Sequence, residues 1–391
     1  MEVNDELIKD DAFHIIKREN SSRYTSKEIS LKSLDPEKPV CFCFGGNGTT
    51  DETVVGKLLT IVQNGLGLKV EEGVSGSSYD VDLVGVVYPM EGFFRSGSLN
   101  KKLRADIAKG LLLSRVLGED GERLSFEDAC ERMNKVTLFS YSHGALEVEK
   151  VVDIFHDMML AKGFSKDESL GILSKVFHVS YAPDCPSIFE GQERKVKTIN
   201  FLSLQDGLLG DYYQEMYDKK LNGIDVVLKG EKNKKSNVDE ILEYIKQGKT
   251  IDANSPLFDL VGCDFDEKKE HKEINVFSSQ LVNQKPLAIK SSSAMHDEHN
   301  LGILKRSYEM WDLEPLLFCD AENGVVREYK KASNNCDCIS QMMFYSLARG
   351  VSRSIGGAPI DNMVDIKNEL VEIRNSFSED QLAKQDDGMG I

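Results

Sequence analysis

Five short apolar runs separated by turns and helical patterns constrain the fold of this chain more than any other feature. The runs cover residues 38–44, 81–88, 135–139, 176–182 and 196–204. Between them, segments 103–116 and 145–159 carry apolar residues at the spacing of one helix face. Strands that alternate with helices form a mostly parallel sheet covered by helices. We therefore expect the α/β class, with a mostly parallel central sheet flanked by helices.

The same patterns divide the chain into five segments. Residues 1–35 form a polar N-terminal segment with a short helix around 11–17, and residues 36–210 form the core. Lysine-rich and acidic blocks mark residues 211–285 as an inserted lid or cap subdomain. Residues 286–375 hold the end of the core, with a last strand at 286–290, and a helical C-terminal region (303–311, 339–347 and 366–373). Residues 376–391 are polar enough to form a flexible tail.

Charge and apolar content restrict the partners and the location of the protein. The 391 residues include 48 Lys and Arg against 65 Asp and Glu, a formal net charge of −17 that repels phosphate backbones and argues against nucleic acid. No segment approaches the roughly 20 apolar residues of a membrane helix. No basic region followed by an apolar one precedes Ser21, so a Sec-type signal is not expected. These features predict a soluble protein, either cytoplasmic or exported without a Sec signal.

One serine stands where a strand is expected to turn sharply into a helix. Ser140-Tyr-Ser-His-Gly144 places small residues two positions on either side of Ser142, the pattern of a nucleophile elbow. Residues 352–356 match the same pattern, but they follow a helical segment and no histidine comes after them. Ser142 is therefore the candidate nucleophile.

A nucleophilic serine needs a base and a carboxylate that orients the base. Asp206 follows the strand at 196–204 and is the candidate acid, with Asp184, after the strand at 176–182, as the alternative. His296 and His299 follow the strand candidate at 286–290, and either is a candidate base.

The oxyanion that forms during ester cleavage needs main-chain donors. The N–H of His143, next to the nucleophile, is one candidate donor. The glycine loop at 45–48 offers others, at Gly46 and Asn47, because glycine lets a substrate carbonyl approach the main chain closely.

Together these segments resemble the α/β-hydrolase superfamily, and more narrowly the bacterial hydrolases that include type VI secretion phospholipases. The resemblance lies in Phe44-Gly-Gly-Asn-Gly-Thr49, Ser140-Tyr-Ser-His-Gly-Ala145, Phe201-Leu-Ser-Leu-Gln-Asp-Gly-Leu-Leu-Gly210 and His296-Asp-Glu-His299. It implies a catalytic triad in the chain order Ser, Asp, His, and a serine esterase or lipase that needs no cofactor. The implied substrate is a lipid or phospholipid ester, reached through transient contact with a membrane surface. The implied setting is a bacterial effector delivered into a host cell.

Two hypotheses from other classes stay open. In the first, the hydrolase fold is catalytically inactive and binds a host-cell or other protein partner. In the second, His296, Asp297 and His299 bind a metal and the reaction is metal-dependent hydrolysis. The eight cysteines lack the paired spacing of a zinc site, so no metal or other cofactor is expected under the leading hypothesis.

Overall fold

A computed structural model describes most of the predicted core and parts of the segments around it. The described residues are 13–20, 23–28, 31, 34–46, 49, 54–56, 58–59, 62, 66, 81–88, 101–183, 195–203, 272–278, 317–320, 325–329 and 338–376. The strands are β1 (Phe13–Asn20), β2 (Arg23–Glu28), β3 (Val40–Phe44), β4 (Asp82–Val86), β5 (Val136–Tyr141), β6 (Phe177–Tyr181), β7 (Lys197–Ser203), β8 (Glu273–Ser278), β9 (Leu317–Asp320) and β10 (Val325–Tyr329). The helices are α1 (Lys101–Arg115), α2 (Phe126–Asn134), α3 (Gly144–Ala161), α4 (Lys166–Leu173), α5 (Cys338–Ser354) and α6 (Met363–Ser376).

Eight of these strands form one sheet in the order β2-β1-β4-β3-β5-β6-β7-β8. Five parallel pairings join β4, β3, β5, β6, β7 and β8. At one edge, β1 and β2 form an antiparallel hairpin, and β1 pairs antiparallel with β4. The expected α/β class with a mostly parallel sheet is confirmed.

Both faces of the sheet are covered, which explains why its strands read as continuous apolar runs. Along β3, Cys41 and Cys43 point to the face that packs on α5, α6 and the helical residues between 54 and 62. Phe42 and Phe44 point to the opposite face, which packs on α1, α2, α3 and α4. The structure is thus a three-layer arrangement with one apolar core on each side of the sheet.

The predicted strands 38–44, 81–88, 135–139, 176–182 and 196–204 correspond to β3, β4, β5, β6 and β7. The helices predicted at 103–116 and 145–159 correspond to α1 and α3. The strand candidate at 286–290 and the helix expected at 303–311 lie outside the described residues.

The helix expected around residues 11–17 is wrong, because residues 13–17 belong to β1 instead. Ile15 pairs with Val84 of β4 on one side and with Lys27 of β2 on the other. Hydrogen bonds from strands distant in sequence decide the conformation here, which local propensity does not show.

Two further strands change the expected organisation of the C-terminal half. β8 pairs with β7 in the central sheet although it lies within residues 211–285, the segment assigned to an insertion. In the segment expected to be helical, β9 and β10 form a separate two-stranded antiparallel sheet before α5. β8 is short and mixes polar with apolar residues, so its pattern does not stand out from the charged sequence before it.

Candidate functional site

The order of the strands identifies one crevice in the sheet. From β3 the chain passes to β4 on one side, and it then crosses to β5 on the other side of β3. The connections leave toward opposite faces, because Val55, Leu58, Leu59 and Val62 belong to one core cluster and α1 packs on the other. Such a switch point opens a crevice beyond the carboxyl ends of β3 and β5. Open α/β sheets bind their ligands in a crevice of this kind. The residues that follow β3 and β5 here are Gly45, Gly46 and Ser142.

Ser142 forms a sharp turn between β5 and α3. Its φ is +53°, in the left-handed region that a residue with a side chain rarely adopts. Its N–H donates to the carbonyl of Tyr181 at 3.0 Å, and its carbonyl accepts from the N–H of Ala145 at 3.1 Å. The strained backbone is therefore held by the neighbouring strand and by the first turn of α3, as expected for a nucleophile elbow.

The elbow packs closely on the end of β3, with a glycine on each side of the contact. A Cβ atom at Gly144 would lie 2.4 Å from the carbonyl oxygen of Phe44 and 2.7 Å from that of Gly45. A Cβ atom at Gly46 would lie 3.2 Å from the Cβ of Ser142 and 3.5 Å from its Oγ. Gly46 therefore lies next to the Ser142 side chain, with little space between them for a further side chain.

The small residue before the elbow is Ser140, and its hydroxyl is fully buried. Its Oγ lies 2.8 Å from Nε2 of His178 and donates to Oγ of Ser180 at 3.1 Å. Ser140 and Ser180 face each other in the β5–β6 register. A hydroxyl is accommodated at this position because a polar cluster between the two strands receives it.

A buried ionic cluster lies directly behind the elbow. Glu147, on the first turn of α3, is fully buried and accepts two hydrogen bonds from Arg104 of α1, at 2.6 and 2.8 Å. Nε2 of His143 lies 3.1 Å from Oε1 of the same carboxylate, the oxygen that also accepts from Nη2 of Arg104. Burial raises the pKa of Glu147, but the hydrogen bonds from Arg104 and His143 outweigh burial and leave this pKa below its ordinary value.

The glycine loop has its own buried partner. The hydroxyl of Tyr88, which follows β4, donates to the carbonyl oxygen of Gly45 at 2.7 Å. The N–H of Tyr88 donates to the carbonyl of Thr49, and the N–H of Thr49 donates to the carbonyl of Gly46. Burial, and then the negative charge of Glu147, raise the pKa of Tyr88 well above its ordinary value. Tyr88 is thus a protonated donor at neutral pH.

The structure brings together three of the predicted site residues, namely Ser142, His143 and Gly46. The other predicted site residues lie outside the described residues: Asn47, Asp184, Asp206, His296 and His299. For the candidate acid Asp206, the structure shows only that β7 ends three residues before it. For the alternative, Asp184, it shows that Ala182, two residues earlier, also has a left-handed φ, of +47°. The assignment of the acid and the base stays a prediction.

The second serine pattern, at 352–356, lies near the amino end of β5, at the other end of this strand from Ser142. Ser352 and Ser354 belong to the last turn of α5. Arg353, between them, donates from Nη2 to the carbonyl of Val136, the first residue of β5. Burial lowers the pKa of Arg353 to about 9. This segment attaches α5 to the sheet and lies far from the switch point.

Sequence reasoning missed Tyr88, Arg104 and Glu147. The spacing of His143 and Glu147 is a usable signal, since residues four apart share one face of a helix. Tyr88 and Arg104 reach the elbow only through the packing of β4 and α1, so no local pattern indicates their role.

The described parts of the chain contain no group of three or more His, Cys, Asp or Glu residues arranged to hold a metal ion. Among the helices given above, none has the length and apolar content needed to cross a membrane. The fold and the crevice define an α/β protein with a left-handed serine at its switch point. No protein-family model matches the chain, and a comparison with curated proteins gives no match.

Proposed function

We propose that this chain is a serine hydrolase of the α/β-hydrolase type, which cleaves a carboxylic ester with Ser142 as its nucleophile. The observation that carries the proposal is the left-handed backbone of Ser142 at the carboxyl end of β5, next to Gly46, which follows β3. A non-glycine residue keeps such a strained conformation only where its surroundings impose it, and these positions concentrate at functional sites.

The reaction proceeds in two halves. Oγ of Ser142 attacks the ester carbonyl carbon while its proton passes to an imidazole, for which His296 and His299 are the candidates and Asp206 or Asp184 the orienting acid. The carbonyl oxygen becomes an oxyanion that accepts hydrogen bonds from the N–H groups of His143 and Gly46. The ester C–O bond then breaks, and the alcohol leaves with the proton. Water attacks the acyl group on Ser142 in the same way and releases the acid.

The position of His143 suits the role of an oxyanion donor. His143 is the N-cap residue of α3, whose 18 residues direct the positive end of the helix dipole toward the crevice. The dipole and the main-chain N–H groups at this end stabilise a negative charge on the substrate oxygen.

The substrate class rests on the sequence resemblance, which favours a lipid or phospholipid ester. The part of residues 211–285 that precedes β8 would then act as a lid whose movement admits the substrate. We propose the same setting as the resemblance implies, a bacterial effector that contacts a membrane surface transiently.

Labelling with a fluorophosphonate probe tests the proposal, because this probe forms a covalent bond only with an activated serine. We expect the wild-type chain to be labelled and Ser142→Ala to show no labelling. Ser354→Ala is the matched control, since Ser354 occupies the equivalent position of the second serine pattern and is buried to a similar degree. It should be labelled like the wild type.

Three results would overturn the proposal. Equal labelling of Ser142→Ala and the wild type would place the reactive residue elsewhere. A natively folded wild type that is unlabelled both in buffer and in detergent micelles would favour the inactive interaction protein. Ester hydrolysis that survives Ser142→Ala but is lost on chelation would favour the metal-dependent alternative.

A further inference from the structure

The carbonyl of Gly45 is held on two sides. The hydroxyl of Tyr88 donates to it at 2.7 Å, and both residues are buried. On another side, the same oxygen packs on Gly144. A Cβ atom added to Gly144 would lie only 2.7 Å from this oxygen. The Gly45 carbonyl therefore has little freedom to rotate.

The orientation of this carbonyl determines the orientation of a proposed oxyanion donor. The Gly45–Gly46 peptide is planar and trans, so the N–H of Gly46 points opposite to the carbonyl of Gly45. The carbonyl faces Tyr88 and Gly144, so the N–H is directed away from them. Gly46 is a close neighbour of the nucleophile, since a Cβ atom added to it would lie 3.2 Å from the Cβ of Ser142.

Glycine by itself does not keep a peptide in one orientation, because it has no side chain to restrict rotation. An oxyanion donor is effective only when it is oriented before the charge develops. The loop therefore needs an external contact that prevents the Gly45–Gly46 peptide from rotating. Tyr88 supplies that contact through its side chain, and its own N–H also binds the far end of the turn at Thr49.

We propose that Tyr88 is a positioning residue of the oxyanion hole, whose hydroxyl fixes the Gly45–Gly46 peptide so that the Gly46 N–H faces the substrate oxygen. This inference rests on the proposed function, and it goes beyond it by assigning a role to a residue outside the triad. Loss of an oxyanion donor lowers kcat by about 10²–10³-fold. Loss of its orientation alone should lower kcat by roughly 10-fold, since the donor is still present.

The test is Tyr88→Phe in the full chain, with 4-nitrophenyl butyrate as the substrate. The variant removes one oxygen atom and keeps the buried ring. We expect kcat to fall by roughly 10-fold with KM unchanged, because the oxyanion exists in the transition state and not in the bound substrate. The rate of fluorophosphonate labelling should fall by a similar factor, since it uses the same donors.

Tyr345→Phe is the matched control. The hydroxyl of Tyr345 donates to Glu369 at 2.9 Å between α5 and α6. This variant also deletes a hydrogen bond from a largely buried tyrosine, so a general loss of stability would affect both variants. The melting temperatures of both variants are measured first, and kcat is then measured below the lower of the two. At that temperature both variants are folded, so a fall in kcat reports misorientation of the Gly45–Gly46 peptide rather than unfolding.

A wild-type kcat in Tyr88→Phe would overturn the inference, and so would a change confined to KM or an equal fall in Tyr345→Phe. These results differ from failure of the proposed function, in which the wild type itself is neither labelled nor active on the ester.

Discussion

Replacing Gly144 with alanine is expected to lower the free energy of unfolding by about 3 kcal/mol and to abolish labelling of Ser142. The added Cβ would lie 2.4 Å from the carbonyl oxygen of Phe44 and 2.7 Å from that of Gly45. The Phe44 oxygen belongs to the last residue of β3, which is paired on both sides, and the Gly45 oxygen accepts from the buried Tyr88 hydroxyl. The elbow would therefore have to separate from β3, and Ser142 would move away from Gly46. Chemical denaturation and probe labelling measure the two effects.

Gly56→Ala is the control for this prediction. Gly56 is also helical, and a Cβ atom added there would meet nothing within 4 Å. Alanine is a better helix former than glycine by about 1 kcal/mol, so this variant should be as stable as the wild type or more stable, with unchanged labelling. If Gly144→Ala were as stable as the wild type and labelled to the same extent, the close packing of Gly144 on the carbonyls of Phe44 and Gly45 would be disproved.

Breaking the ionic cluster behind the elbow is expected to have the second large effect. Arg104→Met removes the partner of a carboxylate that is fully buried, and this should cost about 3–5 kcal/mol of unfolding free energy. The loss comes mainly from leaving the Glu147 charge buried without its bidentate partner. Denaturant unfolding of the variant measures it.

The double variant Arg104→Met/Glu147→Leu tests that explanation. If the unpaired charge causes the loss, removing both members should restore most of the stability, because a buried ion pair is worth little more than apolar side chains of similar volume. A double variant as unstable as Arg104→Met would contradict this account and would point to lost packing between α1 and α3.

The same cluster predicts a dependence of stability on pH. The pKa of Glu147 is lower in the folded chain than its ordinary value of 4.5, because the hydrogen bonds from Arg104 and His143 outweigh the effect of burial. A carboxyl group with a lowered folded pKa stabilises the fold above its unfolded pKa and loses this contribution as the pH falls through the folded pKa. The stability advantage of the wild type over the double variant should therefore be constant above about pH 5 and shrink below pH 4.5. An advantage that grows on acidification would contradict the lowered pKa.

The position of the sharp turn at Ser142 was predictable because its signals are local. Small residues on both sides of Ser142, an apolar run before it and a helical pattern after it all lie within one short segment. The glycine loop carries a similar local signal. Their juxtaposition also followed, since the carboxyl ends of parallel strands meet at one edge of a sheet.

The surroundings of that turn were not predictable, because they come from distant parts of the chain. Arg104 and Tyr88 read as ordinary helix and strand-end residues, and only the packing of α1 and β4 brings them to Glu147 and Gly45. The same reason explains the error in the helix expected around residues 11–17, since Phe13, His14 and Ile15 pair with β4 as part of a strand.

By itself, the amino-acid sequence determined the α/β class, the five central strands and the turn at Ser142. Each of these depends on apolar periodicity or on small residues within a few positions of one another. The tertiary structure alone decided the order of the strands, the strand at β8 and the buried contacts that hold the elbow and the glycine loop. These depend on hydrogen bonds and charges between residues that are neighbours only after the chain has folded.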